Sequence, residues 1–395
     1  MKAVICGAGI AGLALAHRLD ALDWDVVVLE KAPEPRTQGY MIDFFGPGYD
    51  AAEAMGLLPR MRELSYRIQE AAFLDEAGRQ RATLGYGQFA KVVDGRIFSI
   101  MRPDLERALR EQLSGRVELR FGTGPATLHD GTDGVRLTLT DGTALDADLV
   151  VGADGIHSTV RRLAFGPEED FLRPLGFHTA AFVFTDHDIH ARTQGRFSLT
   201  DTVGRQIGLY GLRDGRVAVF AVHRTHEPAL PEDARAALCS EYGSLGWIVP
   251  QALAHCPPHE EVYYDHVAQT QVPRWSRGRI ALLGDACYAV SLLAGQGASL
   301  GIAGAYVLGR ELALHSSVED GLEAYEKVWR PVTAEKQQVA RSGARWFLPS
   351  SPLQLRARHV MMKLARLPVI DRRVAAALVG KTTGVLPGLT TTGRP

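Results

Sequence analysis

Three glycines and one acid near the N-terminus have types and spacing that could hold a phosphate ester. Gly7-Ala8-Gly9-Ile10-Ala11-Gly12 forms a Gly-x-Gly-x-x-Gly, and Glu30 lies eighteen residues past its last glycine. Gly7 suits a tight turn, Gly9 leaves bare backbone for a pyrophosphate to approach, and Gly12 lets a helix pack closely on a strand. A helix opening just after the turn offers unpaired N–H groups and the positive end of its dipole to the phosphates. Glu30, with Lys31 beside it, stands where a carboxylate accepts hydrogen bonds from a ribose diol.

These residues work only if the local elements place them. Ala3 to Cys6 is an apolar run that reads as a buried strand, Leu13 to Leu19 reads as a helix, and Val26 to Leu29 reads as a second strand ending on Glu30. Strand, turn, helix and strand in that order predict a dinucleotide-binding unit. The alternative is a glycine-rich turn without a ligand, and the acid at the end of the second strand argues against it.

The totals set bounds. A chain of 395 residues predicts two or three domains. Hydrophobic content of 46%, charged content of 23% and a net charge of −1 describe an ordinary globular protein and imply no nucleic-acid partner. Cys6, Cys239, Cys256 and Cys287 lack metal-ligand spacing and read as reduced core thiols, so no metal is expected and a cytoplasmic location is. No run reaches membrane-spanning length. From Arg330 onward twelve Lys or Arg face two acids. That reads as a basic helical tail on an acidic body. A membrane-surface helix, with Leu353, Leu355, Val360, Met361 and Leu364 sharing a stripe, is the less favoured alternative.

Along the chain, a loop precedes a helix that opens at Pro47 and stops at Gly56. Residues 66–98 alternate and read as short antiparallel strands, and a helix starts near Arg102-Pro103. Asp141-Gly142 reads as a hairpin turn. From Gly176 to Val272 strand-like runs recur at 179–185, 196–200, 206–212 and 217–222, which predicts an antiparallel sheet inserted in the first domain. Arg279 to Gly284 returns to a buried parallel strand. Helices are expected to fill 320–380, with a frayed end from Thr382.

Three more segments carry chemistry. Gly152-Ala153-Asp154-Gly155-Ile156-His157-Ser158-Thr159-Val160-Arg161 and Gly284-Asp285-Ala286 each follow a strand, and Gly295-Gln296-Gly297-Ala298-Ser299 opens a helix. A carboxylate at a strand end suits a row of ligand hydroxyls. Each has a plainer alternative: Asp154-Gly155 as a turn, Ser158 as a helix cap, Asp285 as a cap acid, and Arg36 and Arg102 as solvated surface arginines.

With the opening unit, these segments make residues 1 to about 310 resemble the flavoprotein aromatic hydroxylases, the single-component FAD monooxygenases. The tetracycline-inactivating and actinobacterial polyketide enzymes are the nearest relatives by this resemblance. It implies an α/β fold: a Rossmann-like FAD-binding domain with an inserted antiparallel-sheet substrate domain and C-terminal helices. The expected boundaries are 1–70, 96–175 and 274–320 for the FAD domain, 71–95 and 176–273 for the substrate domain, and 321–395 for the helical segment. By the same resemblance, Gly7, Gly9, Gly12, Glu30 and Lys31 hold the ADP half of FAD, and Arg36 contacts NADPH. Asp43 is the acid near the flavin, Arg102 reaches the FAD linker, and Asp154 serves FAD and the nicotinamide cofactor. Arg161 lies near phosphates, Asp285 takes the ribityl chain, and Gly295, Gln296, Gly297 and Ala298 lie against the isoalloxazine ring.

The implied reaction consumes NADPH or NADH and O2. It passes through a flavin C4a-hydroperoxide and hydroxylates a phenolic, enolic or polycyclic polyketide-type molecule, with no obligatory protein nucleophile. A non-oxygenating dehydrogenase or reductase is the alternative. No second glycine fingerprint occurs, so the nicotinamide cofactor is expected to bind transiently. The substrate is expected between the 176–225 sheet and the flavin, among Phe184, Phe197, Tyr210 and Phe220, and the chain is expected to be a monomer or weak dimer. The chain departs from the family pattern at Cys287 and Tyr288 (commonly Ala-His), at Leu292 (commonly Pro) and at Ser299 (commonly Asn). Loss of the Pro removes a fixed φ beside the flavin.

Overall fold

The apolar runs 3–6, 26–29, 149–151 and 280–282 can be satisfied only in the middle of a sheet covered on both sides, and that is where they lie. In the computed structural model, which describes residues 1–227, 229–291 and 295–364, a six-stranded sheet has the order Ser276–Arg277, Ile280–Leu282, Leu149–Gly152, Lys2–Cys6, Asp25–Glu30, Glu118–Phe121. All pairs are parallel except the first. Ala3 is in register with Val26 on one side and Leu149 on the other, which brings the carboxyl ends of three strands together. Ligands of open α/β sheets bind at such ends.

Helix Ile10–Asp20 packs against helix Gly297–Leu314, whose small residues permit it: a Cβ on Gly301 would meet that of Ala11 at 3.3 Å. Helix Val318–Phe347 lies beyond, anchored by fully buried Trp329.

The second sheet has seven strands in the order Tyr263–Thr270, Leu172–Thr185, Arg216–Arg224, Arg205–Gly211, Arg196–Thr200, Glu70–Leu74, Gln80–Gly85. It is antiparallel except between Arg196–Thr200 and Glu70–Leu74. Its pleat sends Phe182, Phe184, Ile207, Leu209 and Val219 toward helices Ala234–Tyr242 and Val249–Ala254. Val183, Phe197, Tyr210 and Phe220 face the other way. There a two-stranded ribbon, Met41–Phe45 with Ile97–Met101, stands between this sheet and the first. Three further strands, Pro125–Asp130, Val135–Leu139 and Ala144–Ala147, form a small antiparallel sheet, with the last two flanking Asp141-Gly142.

The segment 66–98 is not all strand. After Gln80–Gly85 comes a helix, Tyr86–Val92. Tyr86 and Ala90, one turn apart, pack on Phe45, Val93 and Ile97, a tertiary contact that local alternation does not reveal. The strand expected from Thr179 begins at Leu172, because a bulge between Pro174 and His178 absorbs the residues that interrupt the pattern. Cys239 is exposed rather than a core thiol.

At the C-terminus, helix Pro352–Leu364 is fixed through Asp201, which pairs with Arg358 and accepts from His359 Nε2 at 2.6 Å. Leu353, Val360 and Met361 are exposed on it. Leu292 and the expected helix and frayed end past residue 364 lie outside the described residues. Among the described residues no helix is long and apolar enough to cross a membrane.

Candidate active site

A cleft of about 680 Å³ runs over the carboxyl ends of the parallel strands. Its wall includes Gly7, Gly9, Glu30, Lys31, Arg36, Arg102, Asp154, Asp285, Gly295, Gly297 and Ala298. Segments spread from residue 7 to residue 298 thus meet at one site.

At one end, Gly7 has φ +111°, and a Cβ there would meet the Ala153 carbonyl oxygen at 2.5 Å. Gly12 is not in the wall. Its bare Cα is what lets helix Ile10–Asp20 approach the first strand, since a Cβ would lie 1.9 Å from the Gly7 oxygen. Gly9 differs from both: the nearest atom to a Cβ there is Glu106 Oε1 at 3.9 Å, so the space above it is open. Glu30 accepts from the Ala8 N–H at 3.0 Å and the Ala32 N–H at 2.9 Å, which fixes its carboxylate and leaves lone pairs for a diol.

At the other end, Asp285 follows strand Ile280–Leu282. Its carboxylate is accessible to water yet ringed by protein atoms, as befits the floor of a cleft. Burial raises its pKa, opposed by Arg102. Among the described residues nothing hydrogen-bonds its carboxylate; only its backbone oxygen is taken, by Thr270 Oγ1, so the carboxylate is available to a ligand. Gly295 has φ +62°, with no neighbour among the described residues within 4 Å of a Cβ, and helix Gly297–Leu314 starts at once. Its first N–H groups lack intrahelical acceptors. Gln296 is buried and outside the cleft wall.

Arg102 opens helix Arg102–Arg110 in the middle of the cleft, 3.3 Å from Glu106 Oε1. Burial works against its charge, but the groups around it, Glu106 first, outweigh that loss of hydration, raise its pKa and keep this arginine charged. Arg36 and Lys31 are exposed at the rim.

Asp154 and Arg161 are placed by other demands. Asp154 accepts from Ser158 Oγ at 2.5 Å and from the N–H groups of Thr159 at 2.7 Å and Val160 at 3.1 Å. Ser158 in turn caps helix Thr159–Ala164. The Asp154 carboxylate is thus occupied locally, and the residue borders the cleft. Arg161 is fully buried, donating to the Ile156 oxygen at 2.7 Å and the Ala286 oxygen at 2.9 Å. It ties the loop after Asp154 to the loop after Asp285 without facing the cleft. Asp43 also lies off the cleft wall, in the ribbon, accepting from Ser99 Oγ at 2.6 Å.

Of the four aromatics expected around a substrate, Phe197, Tyr210 and Phe220 share the ribbon side of the seven-stranded sheet. Phe184 is on the opposite side, stacked on His255 at 5.3 Å. Even spacing along different strands does not reveal face, and one residue of register decides it. The Tyr210 oxygen accepts from the Met41 N–H at 2.6 Å, which fixes the hydroxyl against the ribbon and leaves its proton free to donate.

Tyr40, Tyr263, Glu106 and Asp265 also line the cleft and were not singled out from sequence, and His157, part of the Asp154 segment but given no role there, lines it too. Glu106, four residues after Arg102 on one helix, could have been found from i,i+4 pairing. Tyr40 contacts Phe220 at 5.6 Å and Tyr263 at 5.9 Å, so it joins the cleft to the aromatic side of the second sheet. Burial pushes its pKa up to about 12. Two of the family departures are accommodated: Ser299 accepts from the Gly48 N–H at 2.9 Å and donates to the Phe45 oxygen at 2.6 Å. The Tyr288 hydroxyl fills the space above Gly304, where a Cβ would lie 2.0 Å from it.

A glycine turn under a helix N-terminus, an acid held for a diol and a second acid facing the far end define a protein that binds an extended dinucleotide. The chain belongs to the FAD binding domain family, whose model matches residues 1–340. FAD-dependent monooxygenase asL6 of Sarocladium schorii is 30% identical over 412 residues, covering 96% of this chain and 95% of that protein. The uncharacterized protein Rv1260 of Mycobacterium tuberculosis is 36% identical over 321 residues, covering 78% and 84%. Among solved structures, tetracycline destructase Tet(55) superposes with a TM-score of 0.80 at 25% identity, covering 95% of this chain and 97% of that one. Klebsiella pneumoniae HpxO, solved with FAD and uric acid, has the same fold, with a TM-score of 0.80 at 22% identity, covering 96% and 97%. The chain is an FAD-dependent monooxygenase of this family.

Proposed function

We propose that the protein uses NADPH or NADH to reduce its flavin and hydroxylates an electron-rich carbon of a phenolic, enolic or polycyclic aromatic small molecule. The observation that carries this reading is the Tyr40–Phe220 contact. Through it the cleft adjoins the aromatic face of Phe197, Tyr210 and Phe220, whose chemistry suits a flat apolar molecule.

Bound FAD supplies the activation of O2 and the oxygen transfer, which no protein side chain can provide. The chain's own residues bind and position. Gly7 and Gly9 bring backbone to the pyrophosphate, Glu30 takes the adenosine ribose, and Asp285 takes the ribityl hydroxyls. Lys31, Arg36 and Arg102 supply positive charge toward phosphates. The start of helix Gly297–Leu314, with Gly295 and Ala298 beside it, offers N–H groups to the ring's electron-rich edge. Asp154 and Arg161 hold the walls rather than the ligand. The two sheets and the ribbon exclude water from the reacting face.

The test supplies FAD-loaded protein with NADPH or NADH, ¹⁸O2 and a panel of phenols and polycyclic enols. The expected product carries one ¹⁸O atom for each nicotinamide oxidised. Turnover with a dye acceptor under argon, with no ¹⁸O product from any compound under ¹⁸O2, would overturn the reading in favour of a dehydrogenase.

A further inference from the structure

Glu106 brings a carboxyl group to the glycine turn from helix Arg102–Arg110. Its Oε1 lies 3.9 Å from where a Cβ on Gly9 would be and 3.3 Å from Arg102 Nε. Gly9 is the N-cap of helix Ile10–Asp20, and no side chain caps that end. An oxygen of the protein therefore borders the space in which bare backbone and a helix N-terminus await an anion. A second acid flanks the same turn, since Glu30 accepts from the N–H of Ala8, the residue before Gly9, at 3.0 Å.

Both acids line the cleft, and Glu106 is 9% exposed. The charges acting on it come from three elements: Arg102 and Arg110 on its own helix, Arg36 in the loop before the ribbon, and Glu30 at the end of the second strand. Burial pushes its pKa up, Glu30 adds to that, and the three arginines do not bring it back to the ordinary value. A pyrophosphate over Gly9 adds further negative charge to this enclosed place. Like charges that share a site cannot all stay ionised at neutral pH. Phosphate diesters are far stronger acids than a carboxyl, so the carboxyl is the group that takes the proton. Once neutral, it has an O–H to donate, and Arg102 is released from it toward the phosphates.

We infer that Glu106 enters the FAD complex as the neutral acid, taking one proton from solvent as the cofactor loads and donating it in a hydrogen bond to a pyrophosphate oxygen. The balance is one solvent proton for each FAD bound, with no covalent bond to carbon or phosphorus made or broken. The inference rests on the placement of the pyrophosphate over Gly9 and is independent of the oxygenation reading.

The experiment titrates FAD into FAD-free full-length protein, wild type and Glu106→Gln, between about pH 6 and pH 8.5, reading quenching of FAD fluorescence. Calorimetry at pH 7.5 in two buffers of different ionisation enthalpy counts the protons. The wild-type Kd is expected to rise at least about tenfold across that range, with about 0.5–1 proton taken up per FAD. Glu106→Gln, whose amide donates without a proton from solvent, should match wild type within about threefold at pH 6, bind at least about tenfold more tightly at pH 8.5, and take up less than about 0.2 proton. Wild-type uptake below about 0.2 proton, an unaltered pH dependence in Glu106→Gln, or weaker binding by that variant at pH 8.5 would each overturn the inference. Should Glu106→Gln fail to fold by circular dichroism, Glu106→Met, of like length and without a titrating group, takes its place, and uptake that persists there overturns the assignment. An FAD-saturated Gly9→Ala protein would instead unseat the placement of the pyrophosphate, and a protein that incorporates no oxygen leaves the proton count untouched.

Discussion

The side-chain amide of Gln337, on the long C-terminal helix, donates to the carbonyl oxygen of Ala289 at 2.9 Å, in the loop that follows Asp285. The same nitrogen donates to the Thr270 oxygen at 2.8 Å. Thr270 Oγ1 accepts from the Ala289 N–H at 2.7 Å and donates to the Asp285 oxygen at 2.9 Å, and Gln269 reaches the Val290 oxygen at 2.9 Å. One network thus binds the flavin-side loop to a strand of the second sheet and to a helix outside the dinucleotide unit. Replacing Gln337 by Leu leaves two buried carbonyls unpaired. The expected cost is about 1–3 kcal/mol for each, read as a lower Tm and as weaker FAD retention on gel filtration. An unchanged Tm would show the network to be dispensable.

His157 stands between Glu168, at 3.0 Å from Nδ1, and Asp265, at 3.1 Å from Nε2. It links the loop after Asp154 to strand Tyr263–Thr270. The bond to Asp265 chiefly raises its pKa to about 9, from an ordinary value near 6.5. Because the folded value is the higher one, the stabilisation is full below about pH 6.5 and is lost as pH rises through about 9. The Tm gap between wild type and His157→Gln should be widest near pH 6 and closed by pH 10. A gap constant across that range would contradict the charge assignment.

Glu30 uses both oxygens on backbone N–H groups before any ligand arrives. Glu30→Gln must turn its amide NH2 toward one of those donors and removes the charge. The expected loss in FAD affinity is about 1.5–3 kcal/mol, roughly 10- to 100-fold, measured by quenching of FAD fluorescence on titrating apoprotein. Retained affinity would mean that the ribose is held elsewhere.

What was legible in the sequence is what local pattern encodes. The apolar strands, the glycine turn and Glu30 lie within thirty residues, and the later loops each follow a recognisable strand. Side-chain direction was not legible. Asp154 and Ser158 carry the spacing of a cofactor loop, yet they spend their oxygens capping a helix, because a carboxylate beside bare N–H groups is stabilised there first. Phe184 and Phe220 look alike in the sequence and face opposite sides of one sheet. Gln337, Thr270 and Tyr263 carry no local signature at all, since their partners lie far off in the chain: Gln337 is 67 residues from Thr270, and Tyr263 meets Tyr40 from near the other end of the chain.

Gly9 and Gly12 sit three residues apart in one motif, and the space around them predicts different failures. A Cβ on Gly12 would stand 1.9 Å from the Gly7 carbonyl oxygen, a backbone atom that cannot move aside without opening the first strand and helix. Gly12→Ala should therefore yield aggregated or markedly destabilised protein, since overpacking against backbone has no low-energy relaxation. A Cβ on Gly9 meets only Glu106 Oε1 at 3.9 Å, an ordinary contact. Gly9→Ala should fold with a Tm close to that of wild-type apoprotein and emerge colourless, because the methyl occupies the approach of the pyrophosphate and not any part of the protein. Circular dichroism of the apoproteins with FAD titration separates the two. A yellow, FAD-saturated Gly9→Ala protein would place the phosphates away from this turn, and a stable Gly12→Ala apoprotein would show that the strand and helix can separate.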